Sequence, residues 1–209
     1  MNALRRWFRR SRFFRAYKSL SHYPDYWYWK LRINPVRSPH LLKQRTAREY
    51  GARYKLKILV ETGTYYGEMV AAMKKHFEKI YSIECDPDLA REATRKFERD
   101  SRIHILEGDS ARVLPELLKS LAEPALFWLD AGYWGWENLR RDPQRLSIEV
   151  ESILANAVKG HVILLDDARC LNGENGALSL AEFESRVRAR FPGHAFEVKH
   201  DIFRITPRI

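Results

Sequence analysis

Cysteine is scarce in this 209-residue chain, with only Cys85 and Cys170 present. Two cysteines exclude a disulfide-stapled scaffold and a four-cysteine zinc site, and they fit a reducing compartment. Long apolar runs are missing too. No stretch of about 18 uncharged apolar residues occurs, so no segment reads as a membrane-spanning helix. Acidic residues are nearly absent from the start of the chain: residues 1–48 hold Asp25 against 13 Lys/Arg, a net +12. The remaining residues hold 24 Lys/Arg and 26 acids, a net −2, so the overall charge of +10 belongs to the N-terminal segment.

What is present suffices for a folded unit. The 45% hydrophobic and 12% aromatic fractions exclude a wholly disordered chain, and the length fits one domain with an appendage. The sequence divides into a basic aromatic leader, residues 1–38, and a globular domain, residues 39–209. Arg5-Arg6-Trp7-Phe8 superficially resembles a twin-arginine signal, but no apolar stretch follows it. The leader has three readings. It could lie on an anionic membrane or glycan surface, contact nucleic acid, or pack its aromatics on its own domain or on a partner subunit. As a helix, Leu4, Trp7 and Phe8 face one way, and Phe13, Tyr17 and Leu20 roughly the other.

From Pro39 onward, strands alternate with helices. Residues 56–60, 79–84, 102–106, 125–129 and 161–165 read as strands. Helices are expected over 39–50, 67–77, 87–99, 111–121, 146–158 and 178–190. Residues 195–199 and 202–206 close the chain as a hairpin with His200-Asp201 as its turn. This order gives an α/β, Rossmann-like doubly wound sheet, mostly parallel with a C-terminal antiparallel hairpin, plus the basic helical leader. Ligands in such sheets bind at the C-terminal strand ends, where strand order reverses.

Those strand ends are acidic: Glu61, Glu84, Asp109, Asp130, and Asp166 with Asp167. After the first strand, Glu61-Thr62-Gly63-Thr64-Tyr65-Tyr66-Gly67 places two glycines four apart. Gly63 would permit a tight turn, and Gly67 would let the next helix approach the sheet. The loop is neither a G-x-G-x-x-G dinucleotide fingerprint nor a P-loop, and Glu61 would repel a phosphate. A carboxylate there suits a cationic ligand group. Glu84 is placed to accept hydrogen bonds from ribose hydroxyls. Asp109 either accepts from an adenine amino group or caps the following helix, with Ser110 available for the other role.

These three strand ends resemble the class I S-adenosylmethionine-dependent methyltransferases, over about Ile58 to the C-terminus. The resemblance implies that Glu61, Gly63 and Gly67 hold the methionine part of the cofactor. It places the ribose on Glu84 and the adenine on Asp109 and Ser110. Nucleic-acid amino methyltransferases carry Asn/Asp-Pro-Pro-aromatic after the fourth strand. This chain has Asp130-Ala131-Gly132-Tyr133, which argues against a base amino group as acceptor.

Asp130 with Asp166-Asp167 resembles the metal-dependent O-methyltransferase branch. That implies Mg²⁺ held by Asp130, Asp166 and Asp167, lowering the pKa of an acceptor hydroxyl, with Asp130 also at the catalytic position. Three neighbouring carboxylates would otherwise repel one another. Many relatives have His where this chain has Gly132. His161 starts the fifth strand, at the end away from such a site.

The expected function is therefore methyl transfer from S-adenosylmethionine to a hydroxyl of a small molecule or glycan. The expected setting is cytoplasmic, with peripheral membrane contact through the leader and no nucleic-acid partner. Tyr65, Tyr66, Tyr133, Trp134 and Trp136 would wall the substrate. The competing readings are a catalytically inactive adaptor at a membrane or glycan surface and, less favoured, a nicotinamide-dependent oxidoreductase. Gly132 and the leader support the adaptor; the missing glycine fingerprint and Glu61 count against the oxidoreductase.

Overall fold

A computed structural model describes residues 12–31, 38–129, 143–173 and 178–208, with side chains from residue 22 in the first segment and from 146 in the third. Its elements run α1 (Arg12–Leu31), α2 (His40–Arg53), β1 (Ile58–Thr62), α3 (Glu68–Met73), β2 (Lys79–Glu84), α4 (Pro87–Phe97) and β3 (Ile103–Glu107). They continue α5 (Ser110–Ser120), β4 (Ala125–Leu129), α6 (Pro143–Ala155), β5 (Val162–Leu165), a 3-10 turn (Ala168–Cys170), α7 (Leu180–Arg190), β6 (His194–Lys199) and β7 (Ile202–Pro207).

The seven strands form one sheet in the order β3-β2-β1-β4-β5-β7-β6. The first five are parallel, and β7 runs antiparallel to both β5 and β6. Strand order reverses between β1 and β4, the place where ligands bind at the C-terminal strand ends of such sheets. β1, β4 and β5 are buried along their whole length, as strands covered on both faces must be.

Alternation along these strands feeds two cores. Ile58, Val60, Phe127, Leu129, Ile163 and Leu165 pack with Leu114 and Leu118 of α5, Val150 and Ile153 of α6, and Phe183 of α7. Leu59, Leu126, Trp128, Val162 and Leu164 point the other way, toward Tyr50 of α2, Met69 and Met73 of α3, and Phe97 of α4. Each fully buried large apolar side chain contributes about 1.5–3 kcal/mol, which fixes strand register, since a one-residue slip would exchange the two faces.

Three differences from the expected elements have local causes. β1 extends to Thr62, so Glu61 lies within the strand and not just beyond it. α3 ends at Met73, short of the expected 77, because the chain turns to bury Phe77 against Gly51; a Cβ on Gly51 would lie 2.6 Å from the Phe77 ring. α6 starts at Pro143, a residue suited to a first helical turn, and ends before Asn156. The Asn156 side chain donates to Leu118 O and accepts from Val158 N, diverting the backbone from the helix. The β6–β7 turn is at His200 and Asp201, both with positive φ (54° and 57°), as a two-residue hairpin requires.

The C-terminal part of α1 rests on the domain. The Tyr26 hydroxyl accepts from Arg45 at 2.7 Å, and Trp29 is buried edge-on to the His200 ring, with centroids 5.2 Å apart. His22, Tyr26 and Trp29 recur at helical spacing on this inner face. Tyr23, Trp27, Tyr28 and Leu31 are exposed.

Candidate functional site

The described acidic strand ends flank the β1–β4 reversal, with Glu61, Glu84 and Asp109 at or after β1, β2 and β3 on one side and Asp166 and Asp167 after β5 on the other. Parallel register sets Glu61 beside Ser82, and Ser82 Oγ donates to Glu61 Oε2 at 2.5 Å. Thr64 Oγ1 lies 2.6 Å from Ser82 Oγ. The single Ser82 proton goes to Glu61, so Thr64 is the donor in that second contact. This Thr64–Ser82–Glu61 chain, wholly buried, anchors the loop after β1 to the neighbouring strand.

The loop itself is held by the backbone. Gly63 N donates to Ile83 O at 2.8 Å, and Gly67 N to Thr64 O at 2.8 Å. Gly67 caps α3 with φ 65°, and a Cβ there would lie 2.6 Å from the Phe97 ring. Both its conformation and its close approach demand glycine. Tyr65 also has positive φ (50°), with its ring centroid 4.0 Å from that of Tyr66.

Glu84 ends β2 and is 5% exposed. Its Oε2 accepts from Tyr65 N at 2.7 Å and its Oε1 from Asp86 N at 2.9 Å. The carboxylate thus joins the β1 loop to the start of α4; the Cys85 thiol also donates to Oε1 at 3.7 Å, so Oε2 is the oxygen better placed to accept from a ligand. Asp109 caps α5 by accepting from Ala111 N at 2.9 Å, the capping alternative raised by its sequence position. The Ser110 hydroxyl donates to buried Glu149 Oε1 at 2.6 Å, a partner on α6 that sequence reasoning did not identify.

The fifth strand end is the most heavily bonded. Asp166 N donates to Leu129 O at 3.0 Å, which brings the ends of β4 and β5 together. The Asp166 side chain is fully buried; its Oδ1 accepts from Asp167 N at 2.8 Å, and its Oδ2 accepts from Lys43 Nζ. Lys43 Nζ also lies 3.4 Å from Asp167 Oδ1, and Arg169 donates to that same oxygen at 2.9 Å. Arg169 further binds Asp201 through its guanidinium and, at 2.8 Å, through its backbone N–H. Burial pushes the Asp167 carboxyl up, but Lys43 and Arg169 outweigh it and hold the group below its ordinary range.

Two protein cations therefore already neutralise Asp166 and Asp167. A divalent ion on this pair would have to displace Lys43 from Asp166, so the pair as built does not fit one. Lys43 lies 123 residues before Asp166, and no sequence spacing reveals the contact. Arg169, two residues after Asp167, is the partner a local reading could have found.

Asp130, Gly132, Tyr133, Trp134 and Trp136 lie outside the described residues. His161 is at the opposite end of β5, where its Nδ1 accepts from Ala125 N at 3.1 Å and its ring meets Phe127 edge-on. Burial, with a smaller contribution from Lys159, lowers its pKa to about 4, so it is a neutral structural acceptor at pH 7.

No family model and no curated protein matches the chain. Solved structures do. An SAH-bound methyltransferase from Podospora anserina is 18% identical over 88% of this chain and 87% of its own, with a TM-score of 0.60. An O-methyltransferase from Bacillus cereus in complex with SAH is 14% identical, covering 82% and 84%, with a TM-score of 0.60. The O-methyltransferase TomG from Streptomyces achromogenes, involved in tomaymycin synthesis and solved with SAM, is 13% identical over 86% and 85%, with a TM-score of 0.59. The chain therefore has the Rossmann-like class I methyltransferase fold, as its strand ends implied.

Proposed function

We propose that this protein is an enzyme that transfers the methyl group of S-adenosylmethionine to a hydroxyl oxygen of a small molecule or glycan. One observation carries the reading: Glu61, Glu84 and Asp109 lie at or just after the ends of three neighbouring strands, β1, β2 and β3, beside the sheet reversal, in a fold shared with methyltransferases solved with this cofactor or SAH. An acidic rim suits a ligand bearing a sulfonium and an ammonium group. It does not suit a dinucleotide pyrophosphate.

In this reading Glu61, Gly63 and Gly67 shape the methionine end of the pocket. Glu84 accepts from the ribose hydroxyls while holding the loop through Tyr65 N. Asp109, which caps α5, lies at the third strand end, where the adenine would sit. Ser110 belongs to the reading by its place beside Asp109, with its hydroxyl committed to Glu149.

The acceptor oxygen attacks the methyl carbon in line with the carbon–sulfur bond. That bond breaks, the sulfonium becomes a neutral thioether, and the acceptor's proton passes to Asp130. Asp130 is the next residue after β4, whose end is joined to Asp166 N. Rate comes chiefly from holding oxygen, methyl carbon and sulfur in one geometry. Mg²⁺ was expected on Asp130, Asp166 and Asp167 as the neutralising cation. Lys43 and Arg169 fill that electrostatic role for the last two, so no step runs through a metal.

The exposed aromatics of α1 and the basic leader support peripheral contact with an anionic membrane from the cytoplasmic side. Among the described residues, no helix is long and apolar enough to cross a membrane. The activity is tested by measuring SAH release from S-adenosylmethionine across a panel of hydroxylated acceptors. Cofactor binding with no turnover on any acceptor would point to the inactive adaptor instead.

A further inference from the structure

The structure gathers His22, His40 and Glu68 from three separate helices, outside the acidic strand ends. His22 lies on the inner face of α1, His40 is the first residue of α2, and Glu68 is the first residue of α3, directly after Gly67. One imidazole nitrogen from each histidine and one Glu68 oxygen lie within 4.8 Å of one another. His22 Nε2 is 3.5 Å from Glu68 Oε1, and His40 Nε2 is 3.9 Å from Glu68 Oε2. The two imidazole rings are tilted together with centroids 4.8 Å apart.

These separations are long for hydrogen bonds. His22 Nε2 is buried and makes no hydrogen bond, a costly state for a polar atom. The three side chains are only 13%, 26% and 19% exposed. Metal–ligand bonds of about 2.0–2.1 Å put tetrahedral donor atoms about 3.3 Å apart. The two spacings run to different Glu68 oxygens, and with one donor atom from each residue the three lie within 4.8 Å of one another, so side-chain rotation has to draw the set together by up to about 1.5 Å to reach tetrahedral spacing.

We propose that His22, His40 and Glu68 form a transition-metal site that takes Zn²⁺ with one coordination position left open. Two imidazoles and one carboxylate are a donor set for borderline ions and disfavour Mg²⁺ and Ca²⁺, which prefer oxygen throughout. A bound ion would give the buried His22 nitrogen its partner. It would also cross-link α1 and α2 to the residue that follows the loop after β1. The leader helix would then be stapled to the element that shapes the proposed cofactor pocket. The site does not depend on the methyl-transfer reading.

The test uses the full chain and Co²⁺ as a spectroscopic stand-in for Zn²⁺. One equivalent of Co²⁺ should produce the intense visible absorption of a four-coordinate ion, and one equivalent of Zn²⁺ should bleach it, while Mg²⁺ has no effect. His22→Gln and Glu68→Gln should each weaken Co²⁺ binding at least tenfold, and His104→Gln, remote from the cluster, should leave it unchanged. Wild-type protein that gives no such spectrum overturns the proposal, whether or not the variants fold. So does a spectrum that persists at full strength in folded His22→Gln and Glu68→Gln protein. Hydrogen exchange supplies a second readout: Zn²⁺ should slow exchange in the 22–31 part of α1, and unchanged exchange at saturating Zn²⁺ also overturns the proposal.

Discussion

Lys43, on the helix before the first strand, places its ammonium on the buried carboxylate of Asp166 at the end of the fifth parallel strand. Parting this pair leaves the buried Asp166 carboxylate without the Lys43 ammonium, at a cost of about 3–5 kcal/mol. Lys43→Met should therefore lower unfolding free energy by about 3 kcal/mol in urea titrations. Mg²⁺ should leave the wild-type melting temperature unchanged but raise that of Lys43→Met, where Asp166, no longer held by Lys43, can take an ion. Wild-type stabilisation by Mg²⁺, reversed by EDTA, would restore the metal to the Asp130–Asp166–Asp167 site.

Glu84 combines two tasks, holding Tyr65 N and Asp86 N and, in the proposed function, the ribose. Charge-assisted hydrogen bonds are worth about 1.5–3 kcal/mol each. Glu84→Ala should weaken S-adenosylmethionine binding at least tenfold by calorimetry. Equal affinity in folded Glu84→Ala protein would remove the ribose from this strand end.

His161 gives the fold an acid-sensitive component. Its folded pKa, about 4, lies below the ordinary histidine value of 6.5, so the unfolded chain binds the extra proton first. Its contribution is fully present above about pH 6.5 and is lost as pH falls toward 4, with a slope of at most about 1.4 kcal/mol per pH unit. In His161→Asn, whose side-chain oxygen can still accept from Ala125 N, the slope of stability against pH between 6.5 and 4 should be smaller. An identical slope in both proteins would show that His161 does not titrate as described.

The two faces of α1 should separate in experiment. Trp29 is buried, so Trp29→Ala should cost about 3 kcal/mol of stability. Replacing exposed Tyr23, Trp27 and Tyr28 by Ala should leave the melting temperature within about 1 °C, since surface changes are typically within 0.5 kcal/mol. The same triple variant should lose salt-sensitive binding to vesicles of anionic lipid. Wild-type protein that ignores such vesicles in low salt would leave α1 with its packing role alone.

The sheet was legible wherever burial on both faces left an unbroken apolar run. β4 at 125–129 and β2 at 79–84 match their expected bounds. The hairpin was legible from its turn, although neither His200 nor Asp201 is glycine. Glu61 misled because a carboxylate reads as the end of a strand, and only the register with Ser82 shows how a buried strand can hold one. Asp109 was read with its capping role left open, and the Ala111 N–H shows that role. Lys43, Glu149 and the His22–His40–Glu68 cluster were not legible, since each depends on elements distant in sequence meeting in the fold.

The central claim is that the acidic strand ends form an S-adenosylmethionine pocket. Isothermal titration of the full chain with S-adenosylmethionine tests it most directly, with NAD⁺ in a parallel cell. The account predicts one cofactor molecule bound per chain, competition by S-adenosylhomocysteine, and no heat from NAD⁺. No binding of S-adenosylmethionine to folded protein, or tighter binding of NAD⁺, would contradict it.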